Sequence, residues 1–171
     1  GLAAKVLTLG AIVQDLRIEG VAHPLVLGCP SLSGYLGEGR YFGALVGRLA
    51  NRSGGARLAI VGREYRTDPN FLGRHTLHGG ARGINARVWR IDDLRPDAVD
   101  LSLDLTDGEM GFPGNMRIEA RISLEGGALC FALGAVTDAP TPCSIAHHGF
   151  FDLDGTGDIR GHQLQVAADH Y

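Results

Sequence analysis

Short segments in which apolar and polar residues alternate run through the sequence. The clearest pair is residues 116–124, where every second residue is apolar, and residues 129–136, which are nearly all apolar, with Glu125-Gly126-Gly127 between them. Strict alternation is typical of a β-strand with one buried face, and paired glycines suit a tight turn. We therefore predict a β-hairpin whose second, more apolar strand is the more deeply buried of the two.

Residues 99–105 alternate equally well, and weaker patterns predict four further strands. These candidates are residues 5–18, 56–65, 87–91 and 164–167. No segment shows the apolar spacing of an amphipathic helix, and we expect only a short helical turn around residues 45–51. The 26 glycines among 171 residues indicate many turns. The pattern predicts an all-β protein with a single domain over residues 1–171.

The composition is that of a globular protein, with 44% apolar and 20% charged residues. A net charge of -3 without a basic cluster argues against a nucleic-acid partner. No apolar run is long enough to cross a membrane, and no signal peptide is visible. Cys29, Cys130 and Cys143 lack metal-ligand spacing, so we expect free, buried and reduced thiols in a cytoplasmic protein.

Two adjacent histidines, His147 and His148, lie in an otherwise apolar and aromatic run, residues 144–155. In an extended segment their side chains point to opposite faces, so one imidazole is expected to face a cleft and the other to point away. Imidazole titrates near neutrality, and a histidine in a cleft can therefore give or take a proton. Histidines also serve in packing, so the pair alone does not assign a function.

Residues 43–52 bring Arg48, Asn51 and Arg52 into a stretch of small residues. The planar guanidinium donors and the amide suit the hydroxyls of a polyol. The alternative interpretation is a loop whose arginines pair with nearby acids. Both alternatives are compatible with the spacing.

Two further segments combine turn residues with ionisable side chains. His78 precedes Gly79-Gly80 and is expected on a tight turn. Its spacing from His75 would suit a metal site on a helix, but the glycines disfavour a helix there, so a metal site is not expected. Residues 107–114 contain two acids, but their glycines and proline favour a structured wide turn over a glycosidase-like pair of carboxylates.

Taken in chain order, these segments resemble the aldose 1-epimerase (galactose mutarotase) family. The resemblance rests on Gly47-Arg48-Leu49-Ala50-Asn51-Arg52, Leu77-His78-Gly79-Gly80, Asp107-Gly108-Glu109-Met110-Gly111-Phe112-Pro113-Gly114 and His148-Gly149-Phe150-Phe151-Asp152-Leu153, with support from Tyr41-Phe42-Gly43 and the closing Ala167-Ala168-Asp169-His170-Tyr171. It implies an antiparallel β-sandwich of the galactose mutarotase type with an open sugar-binding cleft, and an activity that needs no cofactor and no metal.

The resemblance also implies roles for five residues. His148 is expected to act as the general acid toward the ring oxygen of an aldohexose such as galactose or glucose. Asn51, Arg52 and His78 are expected to contact the sugar, and Phe150 to line the same cleft. Interconversion of the α and β anomers then requires the ring oxygen to gain a proton while the anomeric hydroxyl loses one.

The chain departs from the family in two respects. Gly149 and Phe150 stand where the family has a hydroxyl residue and a tyrosine. The family also continues well past the position of Tyr171, and its general base, a glutamate, lies in that later part with a sugar-binding aspartate. We therefore expect an incomplete sandwich, the N-terminal portion of a mutarotase-like domain, that is inactive alone and exposes strand edges.

Two alternative functions remain open. An epimerase of phosphorylated hexoses would need basic residues at the cleft, for which Arg40, Arg48, Arg74 and Arg82 are candidates. A non-catalytic carbohydrate-binding module of the same fold would bind sugar without turning it over.

Overall fold

The structure is a computed structural model that describes residues 1–170. Tyr171, the last residue of the closing segment that resembles the family, lies outside the described residues. In chain order the strands and the one short helix are β1 (Leu2–Leu7), β2 (Ile12–Ile18), α1 (Leu32–Tyr35), β3 (Ala44–Val46), β4 (Arg52–Ser53), β5 (Arg57–Ile60), β6 (Arg63–Arg66), β7 (Thr76–Leu77), β8 (Arg90–Arg95), β9 (Ala98–Leu105), β10 (Met116–Glu125), β11 (Ala128–Thr137) and β12 (Ala146–His148).

One layer is a four-stranded antiparallel sheet with the strand order β11-β10-β9-β8. Alternation determines its two faces, because successive side chains of a strand point to opposite sides. On β10, Ile118 and Ile122 are buried, whereas Glu119 and Arg121 are exposed. The predicted strand at residues 99–105 is confirmed as β9.

The second layer packs on the apolar face of this sheet and contains the hairpin β1–β2 and the pair β12–β3. A single core cluster joins Val13 of β2 and Leu45 of β3 to Leu101 and Ile118 of the sheet. Trp89 is 1% exposed in the same cluster, and its indole N–H donates to the carbonyl of Ile84. The predicted all-β, antiparallel sandwich is therefore confirmed.

Two of the weaker strand predictions, residues 5–18 and 56–65, were right in type but wrong in extent. Residues 5–18 form two strands, because Gly10 and Ala11 have positive φ and turn the chain between them. Residues 56–65 likewise contain a hairpin that turns at Val61 and Gly62.

The other two weaker strand predictions, residues 87–91 and 164–167, were wrong over most or all of their length. The strand predicted at residues 87–91 begins only at Arg90. Residues 164–167 form no strand, since they have no pairing partner within residues 1–170.

The β10–β11 hairpin is confirmed, with Glu125 opposite Ala128 across the turn at Gly126 and Gly127. Its predicted burial is wrong, because β10 is the buried strand and β11 is largely exposed. The reason is the order of the strands. β10 lies between two neighbours and under the second layer, whereas β11 is at the sheet edge, where Leu133 is 39% and Val136 is 75% exposed.

The predicted helical turn around residues 45–51 is also wrong. Leu45 belongs to β3, which pairs with β12, and the helix α1 lies earlier in the chain. The three cysteines are free, as predicted, but they are not buried. Cys29 and Cys130 are half-buried and Cys143 is exposed. In the part of the chain that the structure describes, no helix is long and apolar enough to cross a membrane.

The difference in burial between β10 and β11 predicts how substitutions in the two strands affect stability. Ile118→Ala removes a fully buried side chain, and we expect it to lower the free energy of unfolding by about 2–5 kcal/mol. Val136→Ala shortens an exposed side chain on the paired strand, and its expected effect is below about 0.5 kcal/mol. Urea unfolding of both variants measures the difference. Equal losses would show that β11 is buried after all.

Candidate active site

The two adjacent histidines are oriented by the pairing of β12 with β3, in which His147 lies opposite Leu45 and His148 opposite Ala44. His147 stacks on Phe131 of the sheet, with ring centroids 4.4 Å apart. Burial lowers the pKa of His147, as expected for an imidazole packed in a core. His148 points to the opposite side, as predicted for neighbouring residues of a strand. That it faces a sugar cleft stays a prediction.

Three aromatic rings surround the imidazole of His148. Tyr41 stacks against it with centroids 5.6 Å apart and an interplanar angle of 28°. His78 approaches edge-on at 5.0 Å, and Phe150 lies at 5.1 Å. Tyr41 also contacts the ring of His78 at 4.9 Å. The two histidines therefore share one aromatic wall, although 70 residues separate them in the chain.

Reciprocal hydrogen bonds connect Asn51 to His78. The backbone N–H of His78 donates to the carbonyl of Asn51 at 2.9 Å, and the backbone N–H of Asn51 donates to Nδ1 of His78 at 3.1 Å. Both residues have positive φ, so the chain turns at each of them. They extend the short ladder between β4 and β7, where Arg52 lies opposite Leu77. His78 lies on a turn, as predicted.

The hydrogen bond from the backbone N–H of Asn51 to Nδ1 determines the tautomer of neutral His78. Because Nδ1 accepts a backbone N–H, the neutral ring carries its proton on Nε2. Burial, together with the nearby His148 and Arg52, lowers the pKa of His78 to about 4. His78 is therefore a neutral hydrogen-bond donor near pH 7.

Arg52 is exposed at the edge of this cluster. Its guanidinium donates to Oδ1 of Asn51 at 2.9 Å, and Cζ lies 4.9 Å from the centroid of the Phe71 ring. These two contacts orient a planar set of N–H donors beside His78. The arrangement suits several hydroxyl groups of one ligand.

Arg48 has a different environment from Arg52. It is 3% exposed and donates to the carbonyls of Pro113 and Gly114 and to Oγ1 of Thr141. Burial lowers the pKa of this guanidinium. Neither Arg48 nor Arg52 forms an ion pair with an acid of residues 1–170, so the alternative interpretation of a loop of paired charges is wrong.

The loop of residues 107–114 is structural, as predicted. The Asp107 carboxylate accepts the backbone N–H of Gly114, and Glu109 pairs with Arg87. Both acids are thereby engaged in holding the loop in place.

Metal coordination by His75 and His78 is not supported. Nδ1 of His75 accepts the backbone N–H of Gly55, and Nδ1 of His78 accepts that of Asn51. The one set of three potential ligands among residues 1–170, Asp152, Asp154 and His162, has ligand atoms within 4.8 Å of one another. Its carboxylates already accept backbone N–H groups of residues 155–157, which accounts for their position in a turn.

The five residues singled out in the sequence, Asn51, Arg52, His78, His148 and Phe150, all belong to this cluster. Their roles stay predictions. Reasoning from the sequence did not single out Tyr41, whose ring contacts both histidines, or Phe71, which supports Arg52. The aromatic pair Tyr41-Phe42 ahead of a positive-φ glycine was the available signal for Tyr41.

Comparisons with known proteins agree with this fold. The family described as Aldose 1-epimerase matches residues 1–171. The galactose mutarotase of Rattus norvegicus is 35% identical over 99% of this chain and 51% of its own length. The aldose 1-epimerase of Escherichia coli K12 is 32% identical over 100% of this chain and 51% of its own length.

Two solved structures are also similar. An aldose epimerase homologue from C. elegans superimposes with a TM-score of 0.84 at 29% identity, covering 91% of this chain and 49% of that one. The galactose 1-epimerase of Lactobacillus acidophilus gives a TM-score of 0.78 at 29% identity, covering 90% of this chain and 46% of that one. The chain spans about half the length of the relatives that it matches.

The neutral state of His78 predicts an acid-dependent loss of stability. In the unfolded chain this imidazole titrates near pH 6.5, whereas in the fold its pKa is about 4. Between these values the unfolded state binds more protons, so the free energy of unfolding falls as the pH falls, by roughly 3 kcal/mol in total. Urea unfolding at pH 7 and pH 4 measures this loss.

His78→Asn is the matched control, because its amide oxygen can accept the same N–H but does not titrate. His147 contributes equally to both proteins. The variant should therefore lose less stability on acidification than the original protein. An identical loss in the two proteins would contradict the assigned state of His78.

Proposed function

The chain belongs to the aldose 1-epimerase family, and on that premise we propose that it contributes the proton donor and the sugar contacts of a mutarotase. The reaction is the interconversion of the α and β anomers of an aldohexose such as galactose or glucose, an isomerase activity without cofactor or metal. The observation that carries the proposal is the convergence of His148, His78 and Arg52 from three separate segments of the chain on one cluster.

His148 supplies the proton in this mechanism. Transfer of its proton to the ring oxygen breaks the bond between that oxygen and the anomeric carbon, while a base removes the proton of the anomeric hydroxyl. The product is the open-chain aldehyde. Rotation about its first carbon-carbon bond exposes the other face, and reversal of the proton transfers closes the ring as the opposite anomer.

The other residues of the cluster hold the sugar. Nε2–H of His78 and the guanidinium of Arg52 donate to its hydroxyls, and Asn51 orients both of them through the hydrogen bonds described above. The ring of Phe150, which is 41% exposed, offers a surface for the apolar face of the pyranose. Donors that remain uncharged or fixed in position lower the cost of the charge that develops during ring opening.

The base is proposed to come from outside residues 1–170. No carboxylate of these residues hydrogen-bonds to His78, His148 or Arg52. The resemblance implies a glutamate in the part of the relatives that this chain does not match. Residues 1–171 are accordingly assigned to the N-terminal portion of one mutarotase-like sandwich. The free cysteines support a cytoplasmic location.

The alternative of a phosphorylated hexose has less support. Arg48 is buried against backbone carbonyls and is therefore removed from the set of phosphate ligands. Arg40, Arg74 and Arg82 remain exposed. The second alternative is a module that binds sugar without catalysis. The following experiment distinguishes it from a mutarotase.

Substitution of His148 tests the assignment of the proton donor. In a coupled anomer assay of the full-length gene product against a panel of sugars, His148→Ala and His148→Gln should lower kcat by about 10²–10⁴-fold. Sugar affinity should stay within about tenfold, because the interaction is needed mainly in the transition state. His75→Gln, outside the cluster, serves as control. Unchanged kcat in the His148 variants would overturn the assignment, and binding without any turnover by the original protein would favour the module.

The missing base gives a separate prediction for the isolated chain. A protein that consists of residues 1–171 should show no catalysed mutarotation, because protonation of the ring oxygen alone does not remove the proton of the anomeric hydroxyl. Polarimetry of fresh α-glucose with and without the protein measures the rate. Catalysed loss of optical rotation would show that the base lies within these residues.

A further inference from the structure

The imidazole of His148 is held within residues 1–170 by contacts with other rings. His78 differs, because its Nδ1 accepts the backbone N–H of Asn51 and its ring plane is thereby fixed. The second side-chain torsion of a histidine has a broad, roughly two-fold preference, so packing sets the orientation of a ring without such a bond. A proton donor must keep its N–H directed at the acceptor, and small errors in that direction slow the transfer.

Tyr41 is the ring that lies most nearly parallel to His148. Its interplanar angle is 28° with centroids 5.6 Å apart, whereas Phe150 is tilted by 40° and His78 stands edge-on at 85°. The distance and angle of Tyr41 are those of an offset aromatic stack. A stacked face limits rotation of the imidazole about its second torsion, because rotation would push the edge of the ring into that face.

The turn that carries Tyr41 also holds the backbone of His148. The backbone N–H of Gly43 donates to the carbonyl of His148 at 3.0 Å. The backbone N–H of Ala44 donates to the carbonyl of Tyr41 at 3.2 Å and closes the turn. Gly43 has a φ of 66°, and a Cβ there would lie 2.2 Å from the carbonyl oxygen of Val13, so a side chain does not fit. One turn therefore fixes both the main chain of His148 and the ring beside its side chain.

The other two rings around His148 are engaged differently. Phe150 follows His148 by two residues, is 41% exposed, and is proposed above to lie against the pyranose. His78 is proposed to donate to a hydroxyl of the sugar through Nε2–H. Tyr41 has no such assignment. It comes from a separate segment of the chain, so its position does not depend on the conformation of the residues next to His148.

We propose that Tyr41 is a positioning residue whose ring holds the imidazole of His148 in the orientation that donates the proton. The inference rests on the proposed function and adds to it a residue that acts through His148. The contacts of Tyr41 with both histidines are made by its ring. Phenylalanine should therefore replace tyrosine at this position, whereas an aliphatic side chain should not.

Substitution of Tyr41 in the full-length gene product tests the inference. Tyr41→Leu and Tyr41→Met should lower kcat for galactose by about three- to thirtyfold, because a loosely held imidazole is misaligned for much of the time. The calorimetric Kd for galactose should change less than about threefold, since the sugar contacts remain. Tyr41→Phe should keep kcat within about twofold, because the stacked ring remains. Tyr65→Leu is the matched control and should leave kcat unchanged, because Tyr65 is also half-buried but packs beside Arg63 on the β5–β6 hairpin.

A measurement without turnover separates this inference from the proposed function. The imidazole resonances of His148, identified by their loss in His148→Gln, should show nuclear Overhauser contacts with Phe150 in the original protein and in Tyr41→Phe. These contacts should weaken in Tyr41→Leu and Tyr41→Met. Weakened contacts together with no turnover by the original protein would support the orientation of His148 by Tyr41 and overturn the proposed function alone. Unchanged contacts in both aliphatic variants overturn the inference.

Three kinetic outcomes would also overturn the inference. They are an unchanged kcat in both aliphatic variants, an equal loss of kcat in Tyr41→Phe, and a raised Kd with kcat retained, which would make Tyr41 a sugar contact. Circular dichroism shows whether each variant is folded. Tyr41→Met is included because its flexible side chain refills the space of the ring where leucine does not.

Discussion

The antiparallel pairing of β12 with β3 is the constraint on which the site depends. Three residue pairs fix the register, and alternation along the strand then sends His147 into the sandwich and His148 out of it. A shift of one residue would exchange the two imidazoles and place the wrong ring in the core. The contact of His147 with Phe131 opposes such a shift, because the four-stranded sheet provides its partner ring. The packing of His147 thus determines the orientation of His148.

A second set of contacts holds the segments around this pair. Arg48 lies three residues before Asn51, and its guanidinium links the loop at Pro113 and Gly114 to Thr141, ahead of β12. The backbone continues the connection, since Ser144 donates to the carbonyl of Arg48 and Ala50 donates to that of Ser144. Replacement of Arg48 is costly, because loss of its guanidinium leaves the carbonyls of Pro113 and Gly114 without these donors. Arg48 and Arg52, only four residues apart, therefore have opposite tasks. One is buried and joins separate segments of the chain, and the other is exposed at the edge of the histidine cluster.

At the edge of the sheet, the apolar strand β11 is not buried. β11 is rich in apolar residues, yet much of it is exposed, because the second layer covers β9 and β10 and stops short of the edge. An exposed apolar edge strand favours further pairing or aggregation. The chain also spans only about half of its relatives. These two facts agree with the proposal that residues 1–171 are one portion of a larger sandwich.

The sequence by itself determined the local features of this protein. Alternation located β9 and the β10–β11 hairpin, paired glycines located the turn between those strands, and four motifs in order indicated the family. Such features depend on neighbouring residues, whose spacing is written in the chain. Only the tertiary structure decided which strand lies at an edge, that Arg48 is buried while Arg52 is not, that Tyr41 contacts both His78 and His148, and that burial keeps His78 neutral. Burial, charge state and proximity arise from residues far apart in sequence, so no local pattern could have specified them.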